Sequence, residues 1–439
     1  MKQVLIITYY WPPSSGVGVQ RWLKFAKYLP QYGWKPVIFT PENPDFNLKD
    51  EGLKAEIAPE TEELRFPIWE PFQIFDKLTG GKNKKNVQQG LVLEKSRKNW
   101  KDDLFIWIRG NLFIPDPRVF WVKPSVKFLK EWLMDHHIDL IVTTGPPHSV
   151  HLIGYHLKKK FDLPWLADFR DPWSEWDILD KLKVNKLART FHRRLEKKVL
   201  STADLTTTVS TNLAKQFREL HARSVVHIKN GFDDSDIPAT DKALPQDKFT
   251  IGYFGLLNEL RNPPALWDAI NNAIDEKFIP PTEFELHLGG IISDSIQFDL
   301  QNKFPLNECL KFFPYQSQKQ VYQSYLGCHL LLIILNQTGN AKWIIPAKLF
   351  EYLATGRKVM LIGPTNSDAA DIIREQQAGQ IHSFDDSIGI KSSLVDLYTQ
   401  FKTGKLQPEN YQLEKYSRRS LTQELAGHME GLLEKERSS

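Results

Sequence analysis

The chain has 439 residues, with 57 lysines and arginines against 53 aspartates and glutamates, a formal charge of +4, 41% hydrophobic and 25% charged residues. That balance is ordinary for a globular protein, excludes wholesale disorder and collagen-like or coiled-coil fibres, and at this length suggests two or three domains. So small a charge does not announce a nucleic-acid binder, and two cysteines, Cys309 and Cys328, supply neither a disulfide framework nor a cysteine zinc site.

The longest aliphatic run, Leu330–Leu335, is far short of the roughly 20 residues that span a bilayer. Met1-Lys2-Gln3 followed by Val4–Ile7 reads as a buried first strand, not as a leader. A soluble, cytoplasmic protein is expected.

Short apolar runs alternate with helical patterns along the chain. Val4–Thr8 is predicted as a strand, Arg21–Tyr32 as a helix closed by Gly33, and Pro36–Thr40 as a second strand. Leu140–Thr144, Trp165–Asp168 and Leu205–Ser210 repeat the theme, as do Thr250–Phe254, Glu283–Leu288, Leu330–Leu335 and Lys358–Ile362. Strands apolar throughout, each followed by a helix, mark parallel sheets covered on both faces, the doubly wound α/β pattern. The polar, turn-rich stretch from Asn230 to about Gln246 interrupts the rhythm, and Thr250–Phe254 with Gly255 restarts it. Two Rossmann-like domains facing each other are therefore expected, 1–235 and 248–415, joined by a linker at 236–247. A last segment, 416–439, has helical spacing at Leu421, Leu425, Met429 and Leu432.

The region of about 64–130 breaks the pattern and reads as an insertion. It carries Lys82, Lys84, Lys85, Lys95, Arg97, Lys98 and Lys101, with Trp100, Phe105, Trp107, Phe113, Phe120 and Trp121 close by. Two readings stay open: contact with an anionic lipid surface at the inner face of a membrane, or a solvated loop packed down by its aromatics. No recognised nucleic-acid motif accompanies the charge.

Three places concentrate chemistry. Tyr10–Arg21 follows the first strand, where Gly16 and Gly18 free the backbone to approach a ligand at a helix N-terminus. Arg21 stands where the third glycine of a dinucleotide fingerprint would be, and a plain tight turn is an equal reading. Arg170-Asp171 and His148 each follow a predicted strand, at the edge where open α/β sheets bind ligands; a structural ion pair and a capping turn are the alternatives. Ile344–Gly356 places Lys348 and Glu351 one turn apart after Pro346, suited to phosphate and to a sugar diol, or to nothing more than a solvated helix face. The acidic pair Asp234-Ser235-Asp236 lies in the expected linker and not after a core strand, so no metal site is expected.

Taken in order, these segments resemble the GT-B glycosyltransferases of the large retaining family 4. Tyr9–Gly18 is similar to that family's opening loop and Tyr32–Val37 to its turn into the second strand. Thr206–Ser210 and Lys229–Asp233 resemble the end of the first domain, Ile251–Gly255 the first strand of the second, and Pro364–Ile373 the loop over the donor phosphates. The resemblance implies a nucleotide sugar as donor substrate, UDP- or GDP-linked, with no further cofactor, and a sugar or lipid-linked acceptor in surface polysaccharide or glycolipid synthesis. It implies that Glu351 holds the ribose hydroxyls and that Lys348 and Arg261 neutralise the departing diphosphate. Gly16 and Gly18 would approach the diphosphate and the acceptor, Arg170, Asp171 and His148 would face the reacting sugar, and the C-terminal helix would cross back to the first domain.

Three departures stand against the family pattern. Trp343 occupies the first place of the usual Glu, seven residues, Glu motif, Leu256 replaces the arginine after the strand glycine, and Phe169–Trp173 replaces a histidine loop. A GT-B-fold nucleotide-sugar epimerase and a catalytically silent homologue acting as a binding partner are the rival readings.

Overall fold

The computed structural model describes residues 1–44, 46, 49–71, 100–237, 243–303, 305–314, 316 and 318–437. Contacts divide the chain between Lys229 and Asn230 and again between Ser417 and Arg418. Of the described residues, the first unit holds those up to Lys229 together with those from Arg418 onward, and the second holds those from Asn230 to Ser417.

In the first unit seven strands form one sheet: β1 (Lys2–Ile7), β2 (Trp34–Pro41), β3 (Glu62–Phe66), β4 (Leu140–Gly145), β5 (Trp165–Phe169), β6 (Leu205–Thr208) and β7 (Val225–His227). Their order is β3-β2-β1-β4-β5-β6-β7 and every pairing is parallel. The second unit repeats the plan with β8 (Phe249–Leu257), β9 (Phe284–Ile292), β10 (Leu310–Phe313), β11 (Leu330–Ile334), β12 (Lys358–Ile362) and β13 (Gly379–His382), ordered β10-β9-β8-β11-β12-β13 and again parallel throughout.

Each sheet is buried on both faces because its central strands are apolar at consecutive positions. Side chains alternate in direction along a strand, so Leu5 and Ile7 enter one core while Val4 and Ile6 enter another. In β11, Leu330, Leu332 and Ile334 face one core and Leu331 and Ile333 the other, joined by Leu335 just after the strand. Helices cover these faces. The first, Val17–Tyr28, runs into a short 3-10 turn, Leu29–Tyr32, which Gly33 ends in the left-handed conformation at φ 83°. The last helix, Arg418–Arg437, packs against Val17–Tyr28 in the first unit, where Leu421, Leu425, Ala426, Met429 and Leu433 join the core of Val4, Trp22 and Leu23.

Both ends of the stretch expected to be an insertion belong to the fold itself. Leu64 lies in β3, and the helix Val119–Asp135 covers the sheet, with Trp121 buried and stacked on Phe39 at 5.1 Å. Trp121 serves the core while its neighbour Phe120 is 44% exposed, a difference that clustering of basic and aromatic residues does not reveal. Lys82, Lys84, Lys85, Lys95, Arg97 and Lys98 lie outside the described residues.

Candidate functional site

Each strand order reverses once, between β1 and β4 in the first unit and between β8 and β11 in the second. At such a switch point neighbouring loops leave the sheet in opposite directions and open a crevice beyond the carboxyl ends of the strands. The residues expected to carry chemistry gather at these two places.

In the second unit β8 delivers Tyr253, Phe254 and Gly255 to the switch point. Gly255 has φ 149°, and a Cβ there would come within 3.0 Å of Lys348 Nζ. Glycine thus lets the backbone and the ammonium share the space. Lys348 Nζ donates to the Phe254 carbonyl at 3.0 Å and sits 3.9 Å from the centre of the Tyr253 ring. Burial first, and then the positive charge of Arg261, hold its pKa well below the ordinary lysine value, while Glu351 acts against them. Arg261, in the 3-10 turn after β8, donates from Nε to Asn336 Oδ1 at 2.6 Å, which ties the loops after β8 and β11 together. Glu351 lies one turn after Lys348 in the helix Lys348–Ala354 and accepts from the Tyr325 hydroxyl at 3.1 Å. Lys348, Arg261 and Glu351 are each partly exposed, so two basic side chains and a carboxyl line one rim. Tyr253, Tyr325 and Asn336 escaped the sequence reading. Asn336 had a signal, since it is the first polar residue after an apolar strand.

In the first unit the guanidinium of Arg170 is spent on backbone. It donates from Nη1 to the Gly18 carbonyl at 2.6 Å, from Nε to Gly145 at 3.1 Å, and from Nη2 to Pro146. Those carbonyls lie in the first turn of the helix that follows β1, at the last residue of β4 and in the turn just after it, so Arg170 ties the three together at the switch point. A Cβ on Gly18 would stand 3.0 Å from Arg170 Nη1 and 3.2 Å from the Tyr10 ring, so a side chain there would push against the clamp. Gly16, exposed at φ 97°, caps the first helix with nothing near its missing Cβ. Asp171 is partly exposed, and its charge acts on Arg170.

His148 is buried flat against Trp173, rings parallel and 5.1 Å apart, and both ring nitrogens are closed off from solvent. Burial, followed by His151, Arg170 and His192, holds its pKa well below the ordinary histidine value. Trp173 in turn is held by the helix Lys186–Leu200. Its indole donates to His192 Nδ1 at 3.1 Å, and its backbone N–H, with that of Ser174, donates to the carboxylate of Glu196. Burial pushes the Glu196 carboxyl up to about 7 even though it accepts those bonds.

Beneath the Arg170 clamp lies a hub that the sequence did not disclose. Asp168, fully buried at the end of β5, accepts from Arg21 Nη2 at 3.0 Å, Trp22 Nε1 at 2.7 Å, Thr144 Oγ1 at 3.0 Å and Thr207 Oγ1 at 2.8 Å. Burial opposes its ionisation, but Arg21 and the hydrogen bonds outweigh it and lower the pKa. Arg21 therefore occupies the third-glycine place as the buried partner of Asp168. Among the described residues no three His, Cys, Asp or Glu side chains gather so as to hold a metal ion.

Comparison with solved structures places this geometry in a fold. Sucrose-phosphate synthase from Thermosynechococcus elongatus matches over 100% of both chains at 14% identity and TM-score 0.63. Anabaena HepE in complex with UDP-glucose matches over 99% of this chain and 98% of its own, at 14% identity and TM-score 0.58. The fold is GT-B. A Listeria monocytogenes protein described as a UDP-N-acetylglucosamine 2-epimerase shares it, at 8% identity and TM-score 0.55 over 99% and 98% of the two chains. No family model matches the sequence, and no curated protein matches it. In the GT-B frame the rim formed by Arg261, Lys348 and Glu351 lies at the switch point of the second sheet, and the Arg170 clamp at that of the first.

Proposed function

We propose that this protein is a glycosyltransferase that moves a sugar from a nucleotide-sugar donor to a hydroxyl of an acceptor. The observation that carries the reading is the gathering of Arg261, Lys348 and Glu351 around Gly255. Lys348 and Arg261 would meet the diphosphate, and Glu351 would accept hydrogen bonds from the ribose hydroxyls. In transfer the bond between the anomeric carbon and the diphosphate breaks, and its electron pair leaves with the nucleoside diphosphate. The acceptor oxygen forms the new bond and gives up its proton. Negative charge grows on the leaving group as this happens, so cations fixed in advance stabilise the transition state more than the ground state.

In the same reading the donor is UDP- or GDP-linked and the substrate itself carries the reactive group. The resemblance to family 4 adds retention of the anomeric configuration, independence of metal, and a sugar or lipid-linked acceptor. The loops bearing Gly16 and Gly18 would receive the acceptor side, shaped by Arg170 and by the turn in which His148 stacks on Trp173. Asp171 is the partly exposed acidic group of that constellation and the one able to orient a hydroxyl.

A thermal-shift series with UDP- and GDP-sugars tests donor binding, since a ligand at a hundred times its dissociation constant stabilises by about 2.7 kcal/mol. Nucleoside diphosphate released only when an acceptor is supplied supports transfer. Recovery of an isomerised sugar nucleotide without acceptor would favour the epimerase chemistry attributed to the Listeria relative. Absence of any shift would overturn both.

A further inference from the structure

One face of the helix Lys186–Leu200 is given over to the turn that follows Arg170. Glu196 accepts from the Trp173 N–H through Oε1 and from the Ser174 N–H through Oε2, both at 3.2 Å. His192 Nδ1 takes the Trp173 indole at 3.1 Å, and Arg189 Nη1 donates to the Ser174 carbonyl at 3.3 Å. Trp173, Ser174, His192 and Glu196 are all buried. Two consecutive N–H groups that converge on one side chain need two acceptor oxygens. A carboxylate brings two and no donor, whereas glutamine brings one of each. A buried carboxylate is costly to keep ionised, and well-packed apolar groups would stabilise the fold as well. What the carboxylate adds is a fixed geometry.

That geometry is felt at Asp171, which stands between two anchors. On one side the Arg170 guanidinium is bonded to the carbonyls of Gly18, Gly145 and Pro146, and the Arg170 N–H donates to Gly145 as well, at 3.1 Å. On the other side Pro172, whose ring restricts the backbone, leads straight into Trp173 and Ser174. The partly exposed Asp171 is thus carried by a backbone pinned before and after it.

We propose that Glu196 is a positioning residue for transfer: by holding Trp173 and Ser174 it keeps Asp171 where that carboxylate orients the acceptor hydroxyl. The proposal rests on the role given to Asp171 above. Only the ionised form of Glu196 holds both N–H groups, because a proton on one oxygen costs that oxygen its bond. Burial raises the pKa of this carboxyl to about 7, against the bonds from Ser174 and Trp173 and with a further push from Glu175. The other charged and titratable groups around it are Arg189 and His192 on its own helix, His148 and His151 across the turn, and Asp168 and Arg170, which act on His151. Burial keeps the three histidines neutral well below 7, so among these imidazoles and Glu196 it is Glu196 that changes charge near neutrality.

Steady-state transfer by the parent and by Glu196→Gln across pH, with donor affinity measured alongside, tests this. Parental kcat should fall as pH drops through about 7 while donor affinity holds. The glutamine variant should bind donor as the parent does. Its kcat should lie on the order of 100-fold below the parent's at about pH 8, for a displacement of about 1 Å, and should show no fall through neutrality because the amide does not titrate. In an Asp171→Asn background the same change should cost nothing further, since Glu196 acts through the group already lost. A parental kcat that stays level between about pH 6 and about pH 8 would overturn the proposal whether or not the variant folds. So would a glutamine variant with parental kcat, or losses that multiply in the double variant. A parent that neither binds nucleotide sugars nor transfers would overturn the reading of function itself, and the positioning role with it.

Discussion

Arg170 and Asp171 are neighbours in sequence, yet the structure gives them different work, and their replacements separate accordingly. Replacing Arg170 with leucine leaves three carbonyl oxygens at the switch point without their donor, at about 1–3 kcal/mol for each buried group that water cannot reach. The first unit should melt several degrees lower, and calorimetry would show it. Asp171→Asn keeps the size of the side chain and removes only the charge. It should melt as the parent does and retain nucleotide binding while losing transfer; a variant that transfers at the parental rate would remove Asp171 from the chemistry. Glu351→Gln tests the other unit. Loss of one charge-assisted hydrogen bond, about 1.5–3 kcal/mol, should weaken nucleotide-sugar affinity about 10- to 100-fold by calorimetric titration. Unchanged affinity would exclude the ribose contact. Arg170, Lys348 and Glu351 could be singled out from the chain because each lies within a few residues of a recognisable strand or turn. Asp168 and Arg21 could not. They are 147 positions apart and meet only through the fold, so no local pattern marks either as half of a buried pair.

At the scale of elements, the helix Lys186–Leu200 ties pH to the turn that follows Arg170. Glu196 has its folded pKa raised to about 7, above that of an unfolded glutamate, so its contribution to stability is full below the unfolded value and is lost as pH rises through 7. His148, His151 and His192 act in the opposite sense. Burial lowers their folded pKa values, His151 to about 3 and His192 to about 4, so their contribution is present above the unfolded histidine value and is lost as pH falls. Three imidazoles outweigh one carboxyl, and the parent should gain stability from pH 5 to 6.5. Glu196→Gln removes the opposing group, so that rise should steepen, as melting temperatures across the range would reveal; a shallower rise would contradict the buried, raised carboxyl. Elements also mark where sequence reading stops. Every central strand was predictable, whereas β3, β7, β10 and β13 were not, and those four are the sheet edges. An edge strand has one backbone neighbour and less core to face. Glu62–Phe66 accordingly mixes charge with apolar residues, and Gly379–His382 has only four residues with a single aliphatic side chain, so neither shows the continuous apolar run that identified the others.

At the scale of the molecule, the first unit is interrupted by the second, whose described residues all lie between Asn230 and Ser417. Ending the chain at Ser417 would remove Leu421, Leu425, Met429 and Leu433 from the core they share with Trp22 and Leu23. At about 1.5–3 kcal/mol for each large apolar side chain buried, that loss rivals the whole stability of a domain, about 5–15 kcal/mol. Hydrogen exchange on the truncated chain should show amides of the first unit exchanging freely while those of the second keep their protection. Full protection in the first unit would show the helix to be dispensable. The same arrangement sets a timetable on the ribosome. Domains ordinarily fold in the order they emerge, but here the half translated first lacks a piece of its interior until roughly 200 more residues have been added, on the order of ten to forty seconds at 5–20 residues per second. The half translated second is complete as soon as it leaves the exit tunnel, so it can settle before its predecessor. Throughout that interval the nascent first half carries an uncovered apolar strip along Val17–Tyr28, and it is this strip that a chaperone attending synthesis would have to shield.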